Sequence, residues 1–174
     1  MSNKKLLPVL SFILCNLLIP AFCWADLLID GNVGSASPST ANYTSGPFTN
    51  VAVGFSEKSW QVRLGYLYFD EFELQYTDRP AAIAVRAPYL EVIGNLDLDF
   101  AQLEVGLGLS YAMTKASFYH RTLYREEETA PFVELAVVKN LNDLFALKAG
   151  YMYMDDVSGS NISNYFLGFR FSFR

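Results

Sequence analysis

The 174-residue chain carries 13 Lys and Arg against 18 Asp and Glu, a formal charge of −5, which speaks against nucleic-acid binding through phosphate contacts. Its two cysteines, Cys15 and Cys23, both lie in the first 25 residues, so the remainder can rest neither on disulfides nor on a cysteine-bound metal. Beyond those residues no stretch approaches the ~20 apolar residues of a spanning helix, so any membrane crossing falls to a closed barrel of strands.

Taken in chain order, Lys4 and Lys5 precede an apolar run from Leu6 to Phe22 that ends near Ala25. This is the pattern of a secretory signal peptide cleaved after Ala25, leaving residues 26–174 as one domain. Losing Lys4 and Lys5 takes the formal charge from −5 to −7. The next segment is ambiguous. Leu27, Ile29 and Val33 have strand spacing, whereas Gly34 to Pro47 is rich in Ser, Thr, Gly and Pro and reads as a flexible loop. Residues 26–49 are therefore either a flexible segment or a first strand plus loop, and the first barrel strand lies at 27–33 or at 51–56.

From Val51 onward apolar and polar residues alternate with period two, the signature of strands with two unlike faces. Trp60, Val62, Leu64, Tyr66 and Tyr68 oppose Gln61, Arg63 and Gly65. A tight turn is predicted at Asp70-Glu71, followed by a strand with Phe72, Leu74 and Tyr76 opposite Glu71, Glu73 and Gln75. Less regular strands run from Arg86 to Asp97 and from Pro131 to Leu141. Between them Leu103, Val105, Leu107, Leu109, Tyr111 and Met113 share a face opposite Glu104, Gly106, Gly108 and Ser110. Phe145 to Tyr153 and Tyr165 to Phe173 repeat the pattern.

Short links at Leu98–Phe100 and Leu141–Asp143 alternate with long ones at Asp78–Val85, Lys115–Ala130 and Asp155–Ser163, the asymmetry of periplasmic turns and outer loops. In that layout the Ser56–Ser59 link is an unusually short outer loop. The expectation is an all-β, closed, antiparallel up-and-down transmembrane barrel of about eight strands.

Alternation alone does not separate this barrel from a soluble carrier; the placement of charge does. Arg63, Glu73, Glu91, Glu104, Glu134, Lys148 and Arg170 fall on the polar faces and carry both signs, so they can pair across a narrow interior and plug it. The apolar faces gather Trp60, Tyr66, Tyr68, Tyr111, Tyr151 and Tyr165, aromatics suited to membrane interfaces.

The strand Trp60-Gln61-Val62-Arg63-Leu64-Gly65-Tyr66, the segment Phe72 to Thr77 and the carboxyl-terminal strand together resemble the eight-stranded outer-membrane barrels typified by OmpX, the attachment-invasion proteins and the OmpA transmembrane domain. Barrels of that group end in a glycine followed three and five residues later by aromatics, a spacing met by Gly168, Phe171 and Phe173; Phe166 stands where a polar residue is usual, and the chain ends in Arg174. The resemblance implies outer-membrane residence among lipid and lipopolysaccharide, and delivery by periplasmic chaperones to the barrel-assembly machinery. It implies no single activity, since one fold hosts many.

The sole histidine, His120, lies in the longest predicted loop. With Ser117 or Thr122 and one of Glu126 to Glu128 it would make a lipid-modifying enzyme, in an arrangement similar to the His-x-Ser of lipid A deacylases, but those act from a barrel wall and not from a loop. Glu126 to Glu128 read as a solvated acidic turn, with divalent-cation binding as the sharper alternative. Tyr119, His120, Arg121, Tyr124 and Arg125 form the candidate surface contact, toward a host ligand or lipopolysaccharide phosphates. No catalytic residue, cofactor or metal is assigned. The leading expectation is a non-enzymatic, monomeric surface-presenting barrel, with a small channel as the alternative.

Overall fold

A computed structural model describes residues 25–40, 43–73, 81–118 and 121–173. Eight strands, β1 (Asp26–Pro38), β2 (Gly46–Glu57), β3 (Trp60–Glu73), β4 (Ala81–Asp97), β5 (Gln102–Phe118), β6 (Arg121–Asn140), β7 (Phe145–Val157) and β8 (Ser160–Phe173), pair antiparallel in sequence order and close through β1–β8. Closure pairs the outer edges of β1 and β8 and so removes two open edges.

The register sets the shape. Following paired residues round the wall from Asp26 through Ser56, Gln61, Ile93, Gly106, Glu134, Met152 and Asn164 returns to β1 at Ala36, a stagger of ten residues. For eight strands that stagger tilts each strand by roughly 40° from the barrel axis. Both described chain ends share one end of the barrel, the turn end, with the links at 58–59, 98–101 and 141–144. The opposite, loop end carries the β1–β2, β3–β4, β5–β6 and β7–β8 connections.

Several sequence expectations are corrected. Both candidate first strands exist, as β1 and β2, and the total remains eight because β3 runs unbroken through Asp70-Glu71. That polar pair is a β-bulge, where the pairing with β4 slips between Phe69 and Phe72, and not a turn. The Ser56–Ser59 link consequently belongs to the turn end. Much of the three predicted loops at Gly34–Pro47, Lys115–Ala130 and Asp155–Ser163 is strand, and the last contains only a two-residue turn in which Ser158 and Gly159 both take positive φ, the geometry favoured in tight hairpins. The signal segment 1–24 and residues Leu74 to Thr77 lie outside the described residues.

The outer wall is apolar, with Leu107 64% and Leu167 67% exposed, while charged side chains are buried inside. This inverts a soluble barrel. The outward run from Leu103 to Met113 climbs roughly 25 Å along the axis at this tilt, the height of the apolar band on lipid-facing barrels. Outward tyrosines Tyr66, Tyr111 and Tyr165 lie toward the loop end, and Trp60, Phe171 and Phe173 toward the turn end.

Candidate functional site: the filled lumen

Seven charged side chains meet in the turn-end half of the lumen, each from a different strand: Asp30 on β1, Arg63 on β3, Glu91 on β4, Glu104 on β5, Glu134 on β6, Lys148 on β7 and Arg170 on β8. None is more than 4% exposed. The remaining strand, β2, places Gly54 beside Arg63, where a Cβ would press on the Arg63 Cγ.

Arg170 is held by two forks. Its Nε and Nη2 donate to the Asp30 carboxylate at 2.7 and 3.1 Å, and its Nη1 and Nη2 donate to Glu104 at 2.6 and 3.0 Å. Such paired, charge-assisted contacts are the strong kind. Arg63 lies at the centre, donating to Glu104 at 2.6 Å and Glu134 at 3.2 Å, with Asp30 at 3.2 Å and Glu91 at 3.8 Å. Gln61 accepts from Arg63 Nε and Nη2 and donates onward to Glu104 at 2.7 Å and Asn95 at 2.9 Å. Lys148 Nζ donates to Glu134 Oε1 at 2.5 Å and stands 3.6 Å from Glu104. Three cations thus face four acids. Both Glu91 oxygens and Glu134 Oε2 are buried without a protein hydrogen-bond partner.

Above this layer, toward the loop end, the lumen is filled mainly by apolar side chains, with Asn50, Ser110, Thr114 and Asn164 buried among them. Tyr89 meets Phe132 edge-on with ring centres 5.3 Å apart, and Phe48 packs against Phe69 at 5.2 Å and Phe166 at 6.2 Å. Inward glycines make room for the rings: a Cβ at Gly65 would strike Tyr89, one at Gly108 would strike Phe132, and one at Gly150 would strike Phe166. The layers touch where Lys148 Nζ sits 5.3 Å from the Phe166 ring centre and where Tyr89 donates its hydroxyl to Asn50 at 3.1 Å. Leu28, Ile93, Val138 and Ala146 are buried on the turn-end side of the charges.

Of the seven residues assigned to the interior from sequence, the structure brings together six, Arg63, Glu91, Glu104, Glu134, Lys148 and Arg170. Glu73 is a correction. The bulge adds one residue and reverses the inside-outside phase, so Phe72, expected outside, is buried and Glu73 is exposed. Asp30 joins the cluster from a strand whose place the sequence leaves open between 27–33 and 51–56; its signal is the alternation of Leu28, Asp30 and Asn32 with Leu27, Ile29 and Val33.

Elsewhere, Glu126 to Glu128 lie in β6 and form no turn; Glu127 accepts from the Tyr111 hydroxyl at 2.5 Å and Glu128 accepts from the Ser158 amide. Tyr124 and Arg125 are exposed on β6, Arg121 begins that strand, and Tyr119 and His120 lie outside the described residues. Ser117 donates to the Ala82 carbonyl at 3.4 Å. Gly168 is turned toward Asn32, with Phe171 and Phe173 on the outer wall.

This barrel superposes on solved structures along nearly its whole described length. Neisserial surface protein A (NspA) matches with a TM-score of 0.65 at 15% identity, covering 84% of this chain and 96% of that one. The attachment invasion locus protein Ail of Yersinia pestis matches at 0.63 and 12%, covering 86% and 99%, and the amino-terminal barrel domain of Pseudomonas aeruginosa OprF at 0.61 and 12%, covering 85% and 97%. The chain has the fold of the small eight-stranded outer-membrane barrels. No protein-family model matches it, and no curated protein matches by sequence. At these identities the likeness carries the fold and no activity.

Proposed function

We propose that this chain is a non-enzymatic integral outer-membrane protein, exported by a signal peptide removed after Ala25, whose filled barrel presents its loop-end hairpins at the cell surface. The observation that carries this reading is the inverted wall: an apolar outer surface roughly 25 Å tall around a lumen that holds seven charges. A soluble β-barrel places its apolar face inward, so exposing this wall to water would leave a patch far beyond what monomeric proteins tolerate. The short links at one end and the taller β4–β6 sector at the other, with strands 17, 17 and 20 residues long, support a layout with the turns in the periplasm and the tall sector outside.

On this reading Phe171 and Phe173, with Gly168, form the strand recognised by the barrel-assembly machinery after periplasmic chaperones deliver the chain. Tyr124 and Arg125, with Tyr119, His120 and Arg121, are the contact surface toward lipopolysaccharide or a host ligand. The stacked charge and ring layers work against the channel reading, because side chains fill the cross-section at both levels. The test is fractionation with heat modification. The protein should partition with outer membranes and migrate differently on SDS gels before and after boiling. Release in the soluble periplasmic fraction, with uniform migration, would overturn the proposal. Planar bilayers containing the refolded protein should stay electrically silent.

A further inference from the structure

Among the described residues the lumen cluster holds three cations and four acids, so with every group ionised it carries one negative charge that no group beside it offsets. Apolar side chains flank it on both sides, Leu28, Ile93 and Val138 toward the turn end and Phe132 and Phe166 toward the loop end. A charge enclosed in this way costs far more than the same charge in water.

The sharing of the cations identifies the acid left over. Asp30 accepts two hydrogen bonds from Arg170, Glu104 accepts from Arg170 and Arg63, and Glu134 accepts from Arg63 and Lys148. Glu91 accepts none. Its one cation within 4.0 Å is Arg63, whose Nη1 stands 3.8 Å away and is already bonded to Glu134 at 3.2 Å. The Glu91 carboxyl lies over Gly106, where a Cβ would strike Oε1, so this neighbour has no side chain to donate. The nearby Tyr89 hydroxyl is committed to Asn50. Ionised, Glu91 would be a fully buried anion, 0% exposed, with no donor on either oxygen. As a carboxylic acid it needs no cation, and three charges then face three.

We propose that Glu91 is a proton-binding site: closure of the barrel takes up one proton from water, which forms an O–H bond on a Glu91 oxygen and leaves the lumen cluster electrically neutral. Glu134, paired with Gly106 on β6, supplies an acceptor for that proton, since its Oε2 is the one other carboxylate oxygen of the cluster without a donor. This goes beyond surface presentation and needs only the folded barrel. It also links stability to pH with a definite sign. The unfolded chain has released this proton near neutrality and the folded chain holds it, so stability falls as pH rises. Asp30, Arg63, Glu104, Glu134, Lys148 and Arg170 face the site from the other strands, and Tyr89 from its own. All are retained in Glu91→Gln, so comparison with that variant isolates Glu91.

The test is nuclear magnetic resonance of the full barrel in lipid nanodiscs at neutral pH, with isotope-labelled glutamate carboxyl carbons, because a carboxylic acid resonates apart from a carboxylate. One resonance should sit at the carboxylic-acid position and be missing from Glu91→Gln. Should that variant fail to refold, through-bond assignment from the Glu91 backbone in the wild-type protein asks the same question. Over the pH range in which the resonance persists and unfolded glutamates are ionised, the wild-type unfolding constant should rise about tenfold per pH unit relative to that of Glu91→Gln. Glu91 at the carboxylate position, where a bound sodium ion or penetrating water would leave it, overturns the proposal. A proton found on Glu104 or Glu134 instead, or a ratio of unfolding constants flat with pH, does the same. Glutamates all ionised in a barrel that remains heat-modifiable would remove the proton site and leave membrane residence standing.

Discussion

The two halves of the lumen are filled by different physics. Toward the turn end, seven charged groups are mutually dependent, and Glu104 alone accepts from Arg63, Arg170 and Gln61. Toward the loop end, rings and methyl groups settle over glycines, and directional contacts are few, such as Tyr89 to Asn50 and Ser110 to the Ala130 carbonyl. Geometry dominates the first half because a buried ion left unpaired is costly, whereas volume dominates the second because packing is non-directional. The contrast implies that substitutions in the charge layer fail by chemistry and substitutions in the ring layer fail by size.

Six substitutions at five positions probe that contrast, each measured as unfolding free energy by urea titration in lipid vesicles with the gel-shift assay as readout. The largest effect is expected for Arg63→Ala, which leaves Glu104, Glu134 and Asp30 short of their central cation; a loss of about 3–5 kcal/mol is expected. A loss under about 1 kcal/mol would show that the layer admits water freely. Phe132→Ala should cost a similar or slightly smaller amount, about 3–5 kcal/mol, while Phe132→Leu should recover most of it. Equal losses from both would contradict a half governed by volume.

Glu91→Gln sharpens the comparison from within the charge layer. Neither Glu91 oxygen accepts a hydrogen bond, and the cluster holds one more acid than it has cations. That substitution should change stability by less than about 1 kcal/mol, or raise it, whereas Glu104→Gln should cost at least about 2 kcal/mol. The reverse order would mean that Glu91, and not Glu104, anchors the cations. The smallest effect is expected for Glu73→Gln, within about 0.5 kcal/mol, because the bulge turns this side chain to the exterior. A loss comparable to that of Glu104→Gln would return Glu73 to the interior.

The outcome for Glu73 shows where period-two reading stops working. The rule holds while each residue advances the strand by one step, so one extra residue at Asp70-Glu71 inverts everything beyond it. A polar dipeptide between apolar runs also has the sequence of a hairpin turn, so β3 reads as two strands and an eight-strand count leaves room for only one of β1 and β2. Strand ends were underestimated for a related reason. Above the apolar band the outward positions of β5 and β6 become polar, as at Lys115, Arg125 and Glu127, so alternation fades although pairing continues from Lys115↔Arg125 to Phe118↔Arg121.

The amino-acid sequence by itself determined the class of fold and the side on which most charges lie. Both follow from local period and from the large cost of placing charge on an apolar wall, and neither needs long-range information. Which acid meets which cation was decided only by closure, because a stagger of ten residues and the β1–β8 seam bring Asp30 to Arg170 across 140 positions of chain. The apolar packing at the loop end is likewise a product of tertiary structure: two register slips turn Phe72 and Val157 inward, and register is a property of paired strands that no single strand encodes.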